Sequence, residues 1–378
     1  MFIIRERHQL ENRNRMLNLA LGGGGVKGIA YLGVFEAAEN RGYTWKTMAG
    51  VSTGSLAGSF AAAGYSFDMM RGILDNFDMG KVIIGSTDEK NPLISRYIDY
   101  YNNMRSYGNM SPEEFLAHAH YGDYRGSELF PDLNEDFLEA RGNFISNVVN
   151  LSREGYFCDG DYIEEWVSRI LKGRGIATFA DFKGGEKNDI NPHGYKMRMT
   201  AVDLTRWKVI TLPDDIEFYG IDPDRLEVAK AIRMSTSVPF AFKPVEIKKR
   251  EGGRGKTYHI VDGGVLDNFP IWLVDKSPDI RTVGFKLDGG KSKIFSMSFP
   301  LSILKVLISA SHDIGVPVYT YNTENVKHIN AVKVSSLNFK LTGAEKQYLY
   351  ESGKYSADMF FERFENKKPA KQYRYFYR

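Results

Sequence analysis

Three short segments hold the residues of this chain that could carry out acyl transfer. Ser52 stands in Gly50-Val51-Ser52-Thr53-Gly54, with a glycine two residues away on each side. Residues 45–49 (Trp-Lys-Thr-Met-Ala) read as a short buried strand and 55–64 as a helix of small residues, so the spacing predicts a sharp strand-to-helix elbow with the serine at its apex. Glycine at 50 and 54 removes the Cβ atoms that so tight a turn would drive together. A hydroxyl displayed there lies at a helix N-terminus, where unpaired N–H groups and the positive end of the dipole favour developing negative charge. The same pattern also suits an ordinary helix cap, and Gly-x-Ser-x-Gly alone is common.

The second segment, Gly22-Gly23-Gly24-Gly25-Val26-Lys27-Gly28, joins an apolar strand at 16–21 to a helix expected over 26–40, where Ile29, Leu32, Val34, Phe35 and Ala38 recur at helical spacing. Consecutive glycines let several N–H groups converge on one anion, as in a phosphate cradle or an oxyanion hole. Gly23, Gly25 and Gly28 fit the dinucleotide fingerprint, but the next strand ends in Gly50-Val51-Ser52 with no carboxylate to hold a ribose. A phosphate loop of the other kind needs Gly-Lys followed by Ser or Thr, and Lys27 is followed by Gly28 and Ile29. Both nucleotide readings fail. Lys27 in a first helical turn opposes the macrodipole unless a lipid phosphate or the oxyanion lies beside it, the alternative being a solvated side chain. The third segment is Asp262-Gly263-Gly264, which places a carboxylate 210 residues after Ser52.

The Gly23–Gly28 loop, the Gly50–Gly54 elbow and Asp262-Gly263-Gly264, in that order, resemble the patatin-like phospholipase family. The stretches 231–245 (Ala-Ile-Arg-Met-Ser-Thr-Ser-Val-Pro-Phe-Ala-Phe-Lys-Pro-Val), 262–270 (Asp-Gly-Gly-Val-Leu-Asp-Asn-Phe-Pro) and 160–166 (Gly-Asp-Tyr-Ile-Glu-Glu-Trp) are similar too, and the likeness covers roughly 16–360, weakest between 66 and 150. It implies an α/β, three-layer fold with a central, mostly parallel sheet flanked by helices and a helical cap insertion. It also implies a serine–aspartate dyad, with Ser52 as nucleophile and Asp262 as base. Gly23, Gly24 and Gly25 would then supply oxyanion donors, with Lys27 and Gly28 beside them, and Gly50, Gly54, Gly263 and Gly264 would shape the motifs.

Burial would raise the Asp262 pKa toward the range of a general base. A histidine triad is the competing arrangement. Of the seven histidines, His259 lies three residues before Asp262 on one expected strand, so alternation sends the two to opposite faces, while His312 stays open as a partner. No His/Cys cluster has zinc spacing, and the expected chemistry needs no metal or other cofactor.

These parts must be positioned by alternating strands and helices. Strands are expected near 17–21, 45–49, 195–203, 207–212, 256–261 and 280–287, and helices over 26–40, 52–64 and about 343–365. The chain has 378 residues, 43% hydrophobic and 26% charged, enough for one large core. Because the serine and aspartate motifs must meet, one domain over 16–366 is expected, after a polar arm at 1–15 and before a basic-aromatic tail at 367–378. Residues 66–155 carry helical patterns and many aromatic side chains, and read as a helical cap over the site or as a helical layer on the sheet.

A net charge of +3 gives no ground for a nucleic-acid role. Cys158 is the single cysteine, which permits a reducing compartment. Arg5, Glu6 and Arg7 interrupt the N-terminus and Lys305 breaks the longest apolar stretch, so neither a cleavable signal nor a membrane-spanning helix is expected, and a cytoplasmic protein with peripheral membrane contact is. Lys291–Phe299 and the tail combine cations with apolar and aromatic residues suited to a lipid surface. Two functional classes follow: a lipid acyl hydrolase acting on phospholipid or lysophospholipid, or a non-catalytic lipid-binding protein whose closed cap opens for a protein activator.

Overall fold

An apolar strand with little alternation must be covered on both faces, and Met16–Leu21 (β1) is such a strand, with five of its six residues buried. The computed structural model describes residues 15–77, 82, 156–158, 160–206, 208–251, 254–277, 279–288, 323–334, 336 and 341–366. Within them, β1 lies between two parallel neighbours, Thr44–Val51 (β2) and Thr282–Asp288 (β9). The eight-stranded sheet runs β10–β9–β1–β2–β4–β8–β7, and β5 pairs with β4; here β4 is Met197–Asp203, β5 Lys208–Leu212, β7 Val245–Glu251, β8 Arg254–Asp262 and β10 Val326–Asn330. The five strands from β10 to β4 are mutually parallel, and β5 and β8 run antiparallel to β4. Tyr156–Cys158 (β3) and Phe240–Phe242 (β6) form a separate parallel pair.

Alternation along β1 divides the core. Leu17, Leu19 and Leu21 join the larger cluster, together with buried residues of the helices Ala30–Glu39 (α1), Thr53–Ala62 (α2) and Gly343–Asn366 (α6). Ala20 and Ala49 pack instead with Phe269, Ile271, Leu273 and Val274, a segment with one short 3-10 turn. Phe67–Asp75 (α3) docks on α1, where the Phe67 N–H donates to Glu39 at 2.8 Å and its ring stacks on Tyr350. Asp161–Lys172 (α4) places Trp166 edge-on to Phe60 of α2 and leads, through the chain, to Val228–Ser235 (α5) beside β4 and β8.

The expected helix over 26–40 is two elements, a 3-10 turn at Gly25–Ile29 followed by α1. Close approach to the elbow helix accompanies the tighter winding: a Cβ at Gly28 would sit 1.8 Å from Thr53 Oγ1. The sheet also includes β7 and β10, which composition and alternation did not announce. Of the stretch expected as a cap, α3 is a layer helix against α1, and nearly all the rest lies outside the described residues. So do the N-terminal arm up to residue 14, Lys291–Phe299, His312 and the tail.

The contact of α1 with α6 is close enough to read as a test. A Cβ at Gly353 would fall 1.8 Å from the Ala30 carbonyl oxygen, and one at Gly33 2.3 Å from Lys354 N and Tyr350 O. In an open helix Gly→Ala gains about 1 kcal/mol. Here Gly353→Ala is expected to reverse that sign and destabilise by about 1–3 kcal/mol through overpacking, measured by urea unfolding.

Candidate active site

Strand register brings the two distant motifs together. β5 pairs with Met199–Asp203 of β4, overlapping both β2, which pairs up to Val51↔Thr200, and β8, which pairs from Asp203↔Ile260 to Ala201↔Asp262. A strand has only two edges, so β5 occupies one, and β2 and β8 share the other. β2 runs up to Thr200 and β8 runs down to Ala201, so the end of one faces the end of the other. Ser52 follows the last residue of β2, and Asp262 is the last residue of β8.

The elbow is held in a costly conformation. Ser52 has φ 53° and ψ −126° and is the one non-glycine residue at positive φ among the described residues. Such backbone persists only where its surroundings over-determine it. Its N–H donates to Ser235 Oγ at 3.0 Å, and Ser235 in turn donates to the Thr200 carbonyl at 2.8 Å. Its own carbonyl accepts from the Ser55 N–H at 2.9 Å and the Ser55 hydroxyl at 2.6 Å. No side chain fits at the flanking glycines: a Cβ at Gly50 would lie 2.5 Å from the Gly54 carbonyl, and one at Gly54 2.4 Å from Leu21 O.

Asp262 is 3% exposed. Burial pushes its carboxyl up from 3.8 to about 7, against hydrogen bonds from the Ser52 hydroxyl and the Gly264 N–H that favour the charged form. The Gly264 N–H donates to Asp262 Oδ1 at 2.7 Å, and the Asp262 N–H donates to Ser237 O at 2.9 Å. Gly263 lies where a Cβ would be 2.6 Å from Thr200 O. A buried carboxylate bonded to a serine hydroxyl can accept that hydroxyl's proton as the oxygen attacks a carbonyl.

The glycine loop passes against the elbow, since a Cβ at Gly23 would be 3.3 Å from Ser52 Cβ and 2.3 Å from Asn268 Oδ1. Asn268 fastens this loop, its backbone oxygen accepting the Gly23 N–H at 3.2 Å and its side chain donating to Gly23 O at 3.4 Å. The Gly23 N–H is therefore committed within the protein. Among the described residues no hydrogen bond engages the N–H groups of Gly24 and Gly25, and Gly25 takes φ 57° with Ser336 O where its Cβ would be.

Lys27 turns toward the end of β9. Its side chain is buried, its Nζ donates to the Asp288 carbonyl at 3.4 Å, and burial lowers its pKa while the Asp288 charge opposes the shift. The expectation of a solvated lysine gives way, because the side chain is buried and turned to the end of β9 beside the Asp288 charge. Gly28 packs against Thr53 and leaves no room for substrate at its Cα. His259 is exposed, 3.8 Å from Glu246 and beside Thr205, on the opposite side of β8 from buried Asp262.

Ser235, Ser237, Thr200 and Asn268 are positioning residues that motif reading passed over. Their signal was present only as similarity in the stretches 231–245 and 262–270, since a serine that ends a helix has no periodicity to show that it reaches across a sheet. Ser235→Ala would leave the buried Ser52 N–H without its acceptor. A stability loss of about 1–3 kcal/mol in urea unfolding is expected, together with a drop in ester turnover as the elbow relaxes; unchanged stability and turnover would contradict the role.

The chain is similar to several known proteins. The chain is 29% identical over 343 residues to the uncharacterized protein YqhO of Bacillus subtilis (strain 168), covering 89% of this chain and 95% of that one. It is 25% identical over 215 residues to lysophospholipase nte1 of Aspergillus terreus, a match spanning 53% of this chain and 14% of the longer protein. Among solved structures it is similar to VipD from Legionella pneumophila, at 19% identity and a TM-score of 0.47, over 92% of this chain and 67% of that one. The family profile described as Patatin-like phospholipase matches residues 19–275, which is more than half of the chain, and the chain belongs to the patatin-like phospholipase family, a family of lipid ester hydrolases.

Proposed function

We propose that the chain is a phospholipase A or lysophospholipase that cleaves fatty-acyl esters with Ser52 and Asp262 as a catalytic dyad. The observation that carries this reading is the hydrogen bond from the Ser52 hydroxyl to a buried carboxylate whose pKa stands at about 7. Ser52 Oγ attacks the ester carbonyl while Asp262 takes its proton. The tetrahedral oxyanion is met by the N–H groups of Gly24 and Gly25, which no hydrogen bond engages among the described residues. Collapse breaks the bond to the alcohol, which leaves with the proton from Asp262. Water then attacks the acyl-serine, Asp262 takes the water's proton, and a fatty acid departs as Ser52 recovers its hydroxyl. The name lysophospholipase on a relative supports a lysolipid among the substrates.

Members of one proton-transfer unit fail together. Ser52→Ala and Asp262→Asn are each expected to lower kcat/KM by on the order of 10⁴-fold on defined phospholipids, lysophospholipids and a soluble short-chain ester, followed by product identification. A folded Asp262→Asn protein that keeps more than a few per cent of the activity would falsify the dyad. No step requires a metal, so turnover of the soluble ester is expected to be the same in chelator.

Since only ionised Asp262 accepts the proton, kcat/KM is expected to rise with pH through about 7 and level off above it. Stability runs the other way. The folded pKa is raised, so the unfolded chain loses its proton first, and stability falls as pH climbs from 3.8 to about 7. Asp262→Asn removes this penalty, so the variant should exceed the parent by as much as about 4 kcal/mol at pH 8, with the gain vanishing toward pH 4. Urea unfolding at both pH values measures the difference; a gain largest at pH 4 would contradict it.

A further inference from the structure

Among the described residues the strongest charge feature outside the site is the β7–β8 hairpin. Alternation divides its cations, Lys249 and Lys256 standing on the face of Tyr258 and exposed Lys248 and Arg250 on the other face with Glu246; Glu251 and buried Asp262 are the remaining acids of the two strands. Lys249 pairs directly across from Lys256, an arrangement that costs stability when both are charged. Each leans over an aromatic ring, Lys249 Nζ 3.9 Å from the centroid of Phe218 and Lys256 Nζ 5.0 Å from that of Tyr258. Arg206 lies over the same Phe218 ring at 3.6 Å, and that ring is 38% exposed. Of the acids nearby, Asp203 accepts from the Tyr219 hydroxyl and the Thr205 N–H and lies 3.9 Å from Arg206, Asp214 pairs with Arg198, Asp215 accepts from the Thr211 N–H, and Glu217 stands exposed beside Phe218. An exposed aromatic ring clasped between cations is the combination that settles at a lipid headgroup boundary.

Topology fixes where this patch points. β8 descends from the hairpin tip to Asp262 and meets the end of β2, so the hairpin extends past the C-terminal edge of the parallel strands, on the side where the elbow stands. From Asp262 to Arg254 is about 26 Å of strand. Cationic side chains on an edge strand also discourage strand pairing, but that purpose does not call for a solvent-exposed phenylalanine beneath them.

We propose that the β7–β8 hairpin, with Arg206 and Phe218, is the surface by which the protein docks on anionic membranes and brings the Ser52 side to the lipid. The inference rests on the lipid-hydrolase reading for its occupant, and binding is measured apart from catalysis so that the two can fail separately. Full-length Ser52→Ala protein is mixed with phosphatidylcholine vesicles, with or without about 30 mol % phosphatidylserine, and sedimented. Binding is expected only with phosphatidylserine and is expected to fall steeply as salt rises from about 0.1 to about 0.5 M. The triple variant K248Q/R250Q/K256Q is expected to lose on the order of 100-fold in vesicle affinity. Built on active Ser52, the same triple variant should hydrolyse a soluble short-chain ester at the parent rate, which also shows that it folds. A control triple on exposed cations elsewhere, R169Q/K172Q/R363Q, should bind as the parent does. The proposal is overturned if the parent ignores anionic vesicles or binds nucleic acid instead, if the hairpin triple binds like the parent, or if the control triple loses as much. Vesicle binding without hydrolysis of any ester by the Ser52 protein would overturn the enzymatic reading and leave the docking surface standing.

Discussion

One edge of β4 cannot pair with two strands over the same residues, and the candidate site follows from that constraint. β2 takes the edge up to Thr200, and β8 takes it from Ala201 onward in the opposite direction. The junction leaves the chain of β2 nowhere to continue in the plane, so it turns at once into α2, with Ser52 at positive φ. The same junction stops β8 at Asp262, which turns through Gly263 and Gly264. Ser52 and Asp262 are neighbours because two strands abut, although 210 residues separate them in sequence.

The junction also governs the electrostatics. A carboxylate at the end of a strand inside the sheet is withdrawn from water, and burial raises the Asp262 pKa more than its two hydrogen bonds lower it. The protein thereby holds this group at a cost in folded stability at alkaline pH, a strain reservoir of the kind that functional sites keep. Support comes from uncharged groups. Ser235 fixes the Ser52 N–H, Ser237 O receives the Asp262 N–H, and Asn268 ties the glycine loop to the turn after Asp262. Arg233 reaches this network only at the Ser237 hydroxyl, and Lys27, within the loop segment, is turned to Asp288.

Further along β8 the environment inverts. Ile260 and Tyr258 are buried, and the face that carries them ends in Lys256 opposite Lys249. One strand thus joins a desolvated carboxylate at one end to a solvated basic surface at the other. That gradient gives the molecule a polarity that the small net charge of +3 conceals.

The sequence by itself determined the elements that local physics controls. Met16–Leu21 is a strand because an apolar, little-alternating run needs burial on both faces, and Gly50 and Gly54 announced the elbow because no other residue fits so close a turn. The long helix ending the described chain was likewise readable from its spacing. What only the tertiary structure decided were matters of register and of reach. Nothing local says that β8 shares an edge with β2, that Ser235 reaches the Ser52 N–H across 183 positions, or that the Gly23 N–H is taken by Asn268. Lys27 shows the same limit, since its position left a solvated side chain open, and the fold buries it with its amine on the Asp288 carbonyl. Patterns of residue type report burial, whereas hydrogen-bond partners far apart in sequence depend on which strands meet, and that is settled only when the whole sheet is assembled.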